Sequence, residues 1–382
     1  MIYNQAIETM PLEQLRQLQD KRLRTLVARL YRDVPFYQTR LQEAGLEPRD
    51  IRGIADLAKL PITTKEDLRQ HYPFCMFAKP MGEVRRIHAS SGTTGKPTVV
   101  GYTQNDLDLF DEVVARSLVA AGARPGMKLH NAYGYGLFTG GLGMHGGATR
   151  LGMAVIPVSG GMTDRQLMIL QDFEPEVICC TPSYAQTLAA ECKARGIDPA
   201  ALKVRYGVLG AEPWTEAIRT EVEAGLHIQA TNIYGLSEII GPGVSQEDVD
   251  ERGTGSYIWE DHFYPEILDR DTGEVLPYGE EGVLVFTTLT KEAFPLLRYR
   301  TNDICSLHYD PNGKRTHIKM SSIWGRADDM LIIRGVNLFY TQVEEVIHEM
   351  DFLVPHYRLI VSKKDALDQV AVEGEVQPGI DP

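Results

Sequence analysis

The chain has 382 residues, 43% of them hydrophobic, and a formal net charge of −13. That length suits a large domain plus a smaller one, both with real apolar cores, while the acidic balance excludes a general nucleic-acid or anionic-membrane surface, which would need basic patches. The five cysteines include Cys179 and Cys180 side by side in Val177-Ile178-Cys179-Cys180 and read as reduced core residues rather than a disulfide framework. No run approaches the ~18 apolar residues of a membrane span and no basic-then-apolar leader is present, so a cytoplasmic location is expected.

Leu15, Leu18, Leu23, Leu26, Val27 and Leu30 fall at helical spacing ahead of Pro35, and Gly45 closes a second helix carrying Leu41, which predicts an N-terminal helical layer. Thr63 with Glu66 forms a capping-box pattern and places a helix start just after Leu60-Pro61. From Met153 the texture alternates. Met153 to Val158, Val177 to Thr181, Val204 to Leu209 and Ile228 to Ile233 are short β-branched runs, separated by amphipathic helices around Leu167, Leu188 and Ile218. Such alternation predicts parallel strands covered by helices. After Gly243 come turns rich in Gly, Pro and charge, with strands such as Gly282 to Thr287, the texture of an antiparallel β unit. Leu331 to Ile333 then begins a strand of a small α/β domain with a helix near Val343 to His348.

The stretch from His88 to Thr98 packs hydroxyls, glycines and one lysine together with almost nothing apolar to bury. Gly92 and Gly95 let backbone N–H groups turn onto an anion, Ser90, Ser91, Thr93 and Thr94 supply hydroxyl donors, and Lys96 adds a positive charge. It is not a Walker A loop, because Ser90 and Pro97 stand where that pattern needs glycine and Ser or Thr. The alternative for this stretch alone is an exposed turn between two strands.

The loop resembles the phosphate-binding motif of adenylate-forming (AMP-binding) enzymes. Four further segments match that superfamily in the expected order: Gly210-Ala211-Glu212-Pro213, Tyr234-Gly235-Leu236-Ser237-Glu238, Arg298 to Asp303, and Gly325 to Asp329. Within it the wording is most similar to the phenylacetate–coenzyme A ligase family, through Ser91 to Thr103, Tyr133 to Gly143, Trp259 to Glu266 and Leu331 to Asn337. The resemblance implies an α/β fold with a large N-terminal domain of helix-covered, mostly parallel sheets and a small β unit, residues 1–327. A smaller C-terminal α/β lid would follow at 328–382, with its hinge at Asp328. Only about fifty residues follow Asp328, whereas such lids run to roughly a hundred and carry near their C-terminus a lysine that contacts the carboxylate and α-phosphate. No residue here is matched to it, so the lid is expected to be incomplete.

The implied reaction starts with a carboxylate attacking the α-phosphorus of ATP, which calls for oriented donors and a metal rather than a covalent nucleophile. By resemblance, Ser90 to Lys96 hold the β- and γ-phosphates, Glu238 anchors Mg²⁺ and Ser237 meets the α-phosphate, so that Ser237, Glu238 and Lys96 form the catalytic set. Glu238 could instead be a helix N-terminal acid favoured by the dipole. Tyr234, followed by Gly235, stacks on adenine opposite Gly210, Ala211, Glu212 and Pro213, although a tyrosine ending an apolar strand also suits a core. Asp303 takes the two ribose hydroxyls, which a carboxylate can accept together, and Arg326 contacts the ribose; Arg300 is either functional or a structural ion pair.

Coenzyme A would then displace AMP along a tunnel bordered by Gly335, a position equally suited to a plain turn. For the acyl group, Tyr133, Tyr135 and Phe138 alternate with glycines, among them Gly141, as would suit a flat cavity lined by ring faces or simply a core. Gly146 stands where the family often has an aromatic residue, which would widen the pocket. His145 and His262 lack partners at zinc spacing, Cys305 with His308 is a faint pair, and no structural metal is assigned. The partners are therefore a small carboxylic acid, ATP and coenzyme A, with a homodimer allowed for. The alternatives are an adenylyltransferase acting on a small cofactor and a nucleotide-binding remnant lacking a full lid.

Overall fold

The computed structural model describes residues 1–90, 96–327, 331–333, 336–338, 340–350, 352–364 and 367–377. An N-terminal helical layer consists of α1 (Gln5–Glu8), α2 (Leu12–Asp33) and α3 (Pro35–Glu43). Helix α2 buries Leu15, Leu23, Leu26, Val27 and Leu30 along one stripe, and Pro35 opens α3, where its missing N–H would be unpaired in any case. Gly45 follows α3 in the left-handed region, at φ +68°.

Helix α4 (Lys65–Gln70) starts one residue later than the Thr63/Glu66 pattern predicts. Its cap is Thr64, whose hydroxyl accepts from the Asp67 N–H at 3.3 Å while the Asp67 carboxylate accepts from the Thr64 N–H at 2.8 Å. Thr63 is already committed elsewhere. Its N–H donates to the Arg298 carbonyl (3.0 Å), its carbonyl accepts from the Arg300 N–H (2.9 Å), and its hydroxyl donates to the Leu297 carbonyl (2.6 Å).

Strands β1 (Arg86–Ala89) and β2 (Val99–Tyr102) pair antiparallel on either side of the Ser/Thr/Gly stretch. Helix α5 (Gln104–Ala120), capped by Thr103, leads into β3 (Lys128–Asn131), α6 (Gly140–Leu151), β4 (Ala154–Ile156), α7 (Thr163–Asp172), β5 (Val177–Cys180), α8 (Pro182–Ala194), β6 (Tyr206–Gly210), α9 (Glu216–Leu226) and β7 (Gln229–Leu236). Strands β4, β3, β5, β6 and β7 lie side by side and parallel. The sequence predicts this, and β5 shows why: all four of its residues are buried, as a strand covered on both faces requires. All five cysteines are free thiols.

The sheet does not end at β7. Strands β8 (Gly241–Glu247), β9 (Ser256–Ile258), β10 (Phe263–Leu268), β11 (Glu281–Thr288), β12 (Tyr299–His308), β13 (Lys319–Met320) and β14 (Gly325–Arg326) extend it in antiparallel fashion. The resulting mixed sheet has twelve strands in the order β10-β11-β12-β13-β9-β8-β7-β6-β5-β3-β4, with β14 on β12. Strands β15 (Leu331–Ile333) and β16 (Val336–Leu338) pair with each other, α10 (Tyr340–His348) follows, and β17 (Leu353–Lys364) pairs with β18 (Leu367–Val376). Asp328 lies outside the described residues. No described helix is long and apolar enough to cross a membrane.

Arg298 ties the N-terminal layer to this sheet. Its guanidinium donates to the Glu266 carboxylate on β10 (3.0 Å) and to the carbonyls of Ala58 (3.1 Å) and Leu60 (2.8 Å), with both charged side chains buried. Replacing Arg298 with methionine would leave the Glu266 charge unpaired in the interior, and about 3–5 kcal/mol of stability should be lost. A lower midpoint in urea denaturation checks this, and adding Glu266→Gln should recover part of the loss.

Candidate active site

In an open α/β sheet, ligands collect outside the carboxyl ends of the strands, and the predicted site residues gather there. The base of the Ser/Thr/Gly stretch is closed by Ser90, whose N–H donates to the Thr98 carbonyl (2.9 Å) and whose hydroxyl accepts from the Thr98 N–H (3.1 Å). Ser91, Gly92, Thr93, Thr94 and Gly95 lie outside the described residues. Lys96 is exposed, its ammonium 5.2 Å from the centre of the Tyr72 ring. Behind the hairpin His88 is buried and donates through Nδ1 to the Leu137 carbonyl at 2.9 Å. Burial lowers its pKa.

The ends of β6 and β7 are set by close backbone approach. A β-carbon on Gly210 would lie 2.1 Å from the Ile233 carbonyl oxygen, and one on Gly235 would lie 1.9 Å from that of Gly241. Only glycine fits at either position. Beyond β6, Ala211 turns into the left-handed region at φ +72°, and Glu212 accepts from the backbone N–H (3.2 Å) and hydroxyl (3.0 Å) of Ser183 at the start of α8. Ala211, Glu212 and Pro213 form an exposed wall.

Three predicted residues meet directly. The Tyr234 phenol donates to one oxygen of the Asp303 carboxylate at 2.5 Å, and Arg326 donates to the other at 3.2 Å. The pairing of β12 with β14 sets Asp303 opposite Arg326, so strand register brings the ion pair together. The Tyr234 ring also stacks on Phe286, centroids 6.3 Å apart. Burial, then the neighbouring Asp303 carboxylate, holds the Tyr234 phenol well above its usual pKa. Arg300 donates to the Asn302 side chain at 3.1 Å.

Glu238 and Ser237 sit on the turn after β7, both buried. The Ser237 hydroxyl is 3.2 Å from that of Thr139. The Tyr299 phenol lies near the Glu238 carboxylate, and burial, Glu238 and Asp303 in that order push its pKa well up. Glu238 has no ion pair with a basic side chain among the described residues, which leaves a buried oxygen donor of the kind a hard divalent cation takes. Beneath the turn Lys291 donates to the Glu238 carbonyl at 3.3 Å, and burial lowers its pKa to about 8.

A cavity of about 440 Å³ opens beyond β3, β4 and β5, lined by the rings of Tyr133, Phe138 and Tyr184, by Gly134, Gly160 and Gly161, and by Thr181 and Ser183. Tyr135 and Gly141 are placed beside it rather than in its lining. The Tyr135 phenol accepts from Asn131 (2.7 Å) and lies 3.2 Å from His145 Nδ1, and Gly141 packs under the Gly134 carbonyl, 2.5 Å from where its β-carbon would be. Gly146 faces α5: a β-carbon there would strike the Asp111 carboxylate at 1.9 Å, so its smallness serves helix packing.

The AMP-binding enzyme family model matches residues 19–289, and a model for the AMP-binding enzyme C-terminal domain matches residues 335–382. A phenylacetate–coenzyme A ligase of Thermus thermophilus is 64% identical over 98% of this chain and 84% of its own length; one of Aromatoleum evansii is 53% identical over 98% and 84%. The chain belongs to the phenylacetate–coenzyme A ligase family of AMP-binding enzymes. The crystal structure of a 2-hydroxyisobutyryl-CoA ligase in the postadenylation state superposes with a TM-score of 0.90 at 26% identity, covering 98% of this chain and 80% of that one. The chain is accordingly an ATP-dependent, AMP-forming acid–thiol ligase working through an acyl-adenylate.

Lys291 beneath Glu238 and His130 behind the cavity lie outside every matching segment, and Thr139 beside Ser237 lies within the 133–143 segment but is not singled out by its pattern. The Gln166 amide donates to the carbonyls of Ser159 (2.6 Å) and Gly161 (3.0 Å), so its oxygen must accept from His130 Nε2. The cavity's Gly160–Gly161 edge therefore rests on a neutral imidazole. Burial lowers the pKa of His130 to about 4. Between that value and the ordinary 6.5 the unfolded chain binds the extra proton, so stability falls as pH drops through this window. His130 should account for about 2 kcal/mol lost between pH 7 and pH 5, and His130→Asn should remove that share. Urea denaturation of both proteins at the two pH values measures the difference.

Proposed function

We propose that the acid is arylacetic, of the phenylacetate class, and that the accepting thiol is that of coenzyme A. The observation that carries this reading is the cavity lined by Tyr133 and Phe138 at the carboxyl ends of the parallel strands, in a chain 64% identical to a phenylacetate–coenzyme A ligase. An aromatic ring between those two side chains would gain ring-edge and apolar contacts. Free, buried cysteines such as Cys179 and Cys180 fit a reducing cytoplasm.

In the first step a carboxylate oxygen attacks the α-phosphorus of ATP, the bond to the bridging oxygen breaks, and pyrophosphate leaves. Ser90 and Lys96, with Ser91 to Gly95, would cradle the β- and γ-phosphates. The Tyr234 ring and the 210–213 wall would hold adenine, and Asp303 with Arg326 would hold the ribose. The Ser237 hydroxyl would meet the α-phosphate. A magnesium ion entering with ATP would neutralise charge building on the phosphoryl oxygens; the Glu238 carboxylate is the residue to hold it. In the second step the thiol sulfur attacks the acyl carbonyl, its proton passes to solvent and AMP departs. For that step the 328–382 segment would act as a lid, hinged at Asp328 and bordering the thiol's path at Gly335, both outside the described residues.

Release of AMP and pyrophosphate should require both an aryl acid and coenzyme A, with phenylacetate giving a higher kcat/KM than an aliphatic acid of similar length. Phe138→Ala should lower kcat/KM for phenylacetate and relax selection against larger acids. A preference for aliphatic acids, or a Phe138→Ala enzyme that keeps the original ranking, would count against the assignment.

Asp303→Ala deletes the carboxylate proposed to take both ribose hydroxyls. Hydrogen bonds to a charged group contribute about 1.5–3 kcal/mol each, so the affinity for ATP should drop at least tenfold. Affinity for the acid should be nearly unchanged. Calorimetric titration with each ligand checks this, and equal losses for the two would contradict the ribose role.

A further inference from the structure

Lys291 is fully buried just beyond the end of β11. An ammonium in such a place is costly unless paired, yet among the described residues it makes no salt bridge, and its hydrogen bond goes to a backbone oxygen, the Glu238 carbonyl. The rings of Tyr102 (4.8 Å) and Phe294 (5.3 Å) pack against it. The acids whose charge acts on it are Asp106 and then Glu238; the Asp106 oxygens accept from the N–H groups of Thr103 (2.9 Å), Glu292 (2.6 Å) and Ala293 (2.9 Å). Those bonds fix the backbone that carries Lys291 to the start of α5.

Tyr102, which ends β2, donates its hydroxyl to the Ile240 carbonyl at 2.8 Å. The turn after β7 is thus held at two carbonyls, Glu238 by Lys291 and Ile240 by Tyr102, and the two holding side chains touch. From above, Thr139 meets Ser237. Gly241, at φ +117°, has no room for a side chain, since a β-carbon would fall 2.5 Å from Phe110 and 2.9 Å from Thr139.

We propose that Lys291 is a positioning residue for adenylation, its ammonium, together with the Tyr102 hydroxyl, locking the turn that bears Ser237 and Glu238 to the β1–β2 hairpin that bears the phosphate-binding stretch. The inference rests on the proposed roles of Ser237 and Glu238. Lys291 touches no ligand. It acts by keeping two separate groups of phosphate and metal donors in one frame, and misplacement of such groups by about 1 Å can slow a reaction up to about a hundredfold.

The test compares Lys291→Met, Lys291→Arg, Tyr102→Phe and Glu238→Gln with the wild type in acid-dependent ATP–pyrophosphate exchange across a Mg²⁺ titration. Hydrogen exchange of the Ile239 and Ile240 amides, which bond the Leu236 carbonyl, is read in the ligand-free proteins. Lys291→Met should lower the exchange kcat by about ten- to a hundredfold, raise the Mg²⁺ needed for half-saturation and leave KM for the acid within about twofold, with faster exchange at the two amides. Lys291→Arg should recover part of the rate, and Tyr102→Phe should shift the same quantities less. If Lys291→Met keeps the wild-type rate and Mg²⁺ requirement while Glu238→Gln is disabled, Lys291 merely fills space and the inference is wrong. If Glu238→Gln itself exchanges at the wild-type rate, the assigned role of Glu238 is what fails. Should Lys291→Met not fold, Tyr102→Phe decides, because its ring stays: an unchanged Mg²⁺ requirement and unchanged amide exchange overturn the proposal.

Discussion

Strands β7 and β8 come so close that Gly235 can carry no side chain, its β-carbon falling 1.9 Å from the Gly241 carbonyl oxygen, and this single approach organises the molecule. It is where the parallel half of the sheet gives way to the antiparallel half. The turn it forces places Ser237 and Glu238 at the carboxyl end of β7, beside the ends of β3, β5 and β6. The register shift between Tyr234 and Gly235 accompanies it, and Tyr234 just before that shift reaches Asp303 on β12. A wider turn would separate the residues of the two halves, and the cluster of Tyr234, Asp303, Tyr299 and Glu238 would not form.

The parallel strands were legible because burial on both faces imposes continuous apolar runs, as in β5, and α2 because its buried stripe repeats at helical spacing. That Tyr234, Asp303 and Arg326 meet follows an order of contiguous motifs along the chain, which stood in for position in space. Where the reading failed, a distant contact outweighed a local pattern. Thr63 looks as able to cap α4 as Thr64 until Leu297, Arg298 and Arg300 claim its hydrogen-bonding groups. Gly146 resembles a pocket position, yet Asp111 on α5 determines what fits there. Lys291, Thr139 and His130 work through partners 53, 98 and 36 residues away in sequence, and no local pattern announces such pairs.

The cavity and the cluster around Asp303 and Glu238 rest on different supports. Around the cavity, Gln166, His130, Asn131 and Tyr135 hold loops with neutral hydrogen bonds. Around Asp303 and Glu238 the supports are charged: Lys291 under Glu238 and Arg326 on Asp303. The division suits the proposed tasks, since an apolar acid would be selected by shape, whereas phosphate chemistry demands donors held still in a field.

The contacts of the N-terminal layer carry a consequence for how the protein is made. Glu8 is buried against Arg315, and Thr63 lies in a bridge with Tyr299, so α1 and the segment just before α4 find these partners only after roughly 240 to 300 further residues have been synthesised. At translation rates of about 5–20 residues per second, the Gln19 side chain on α2 waits more than about ten seconds for the Glu260 carbonyl to which it donates. Chaperone demand and aggregation during synthesis should therefore be governed by that helix and by the speed at which the ribosome reaches β12, far from any residue that touches a substrate.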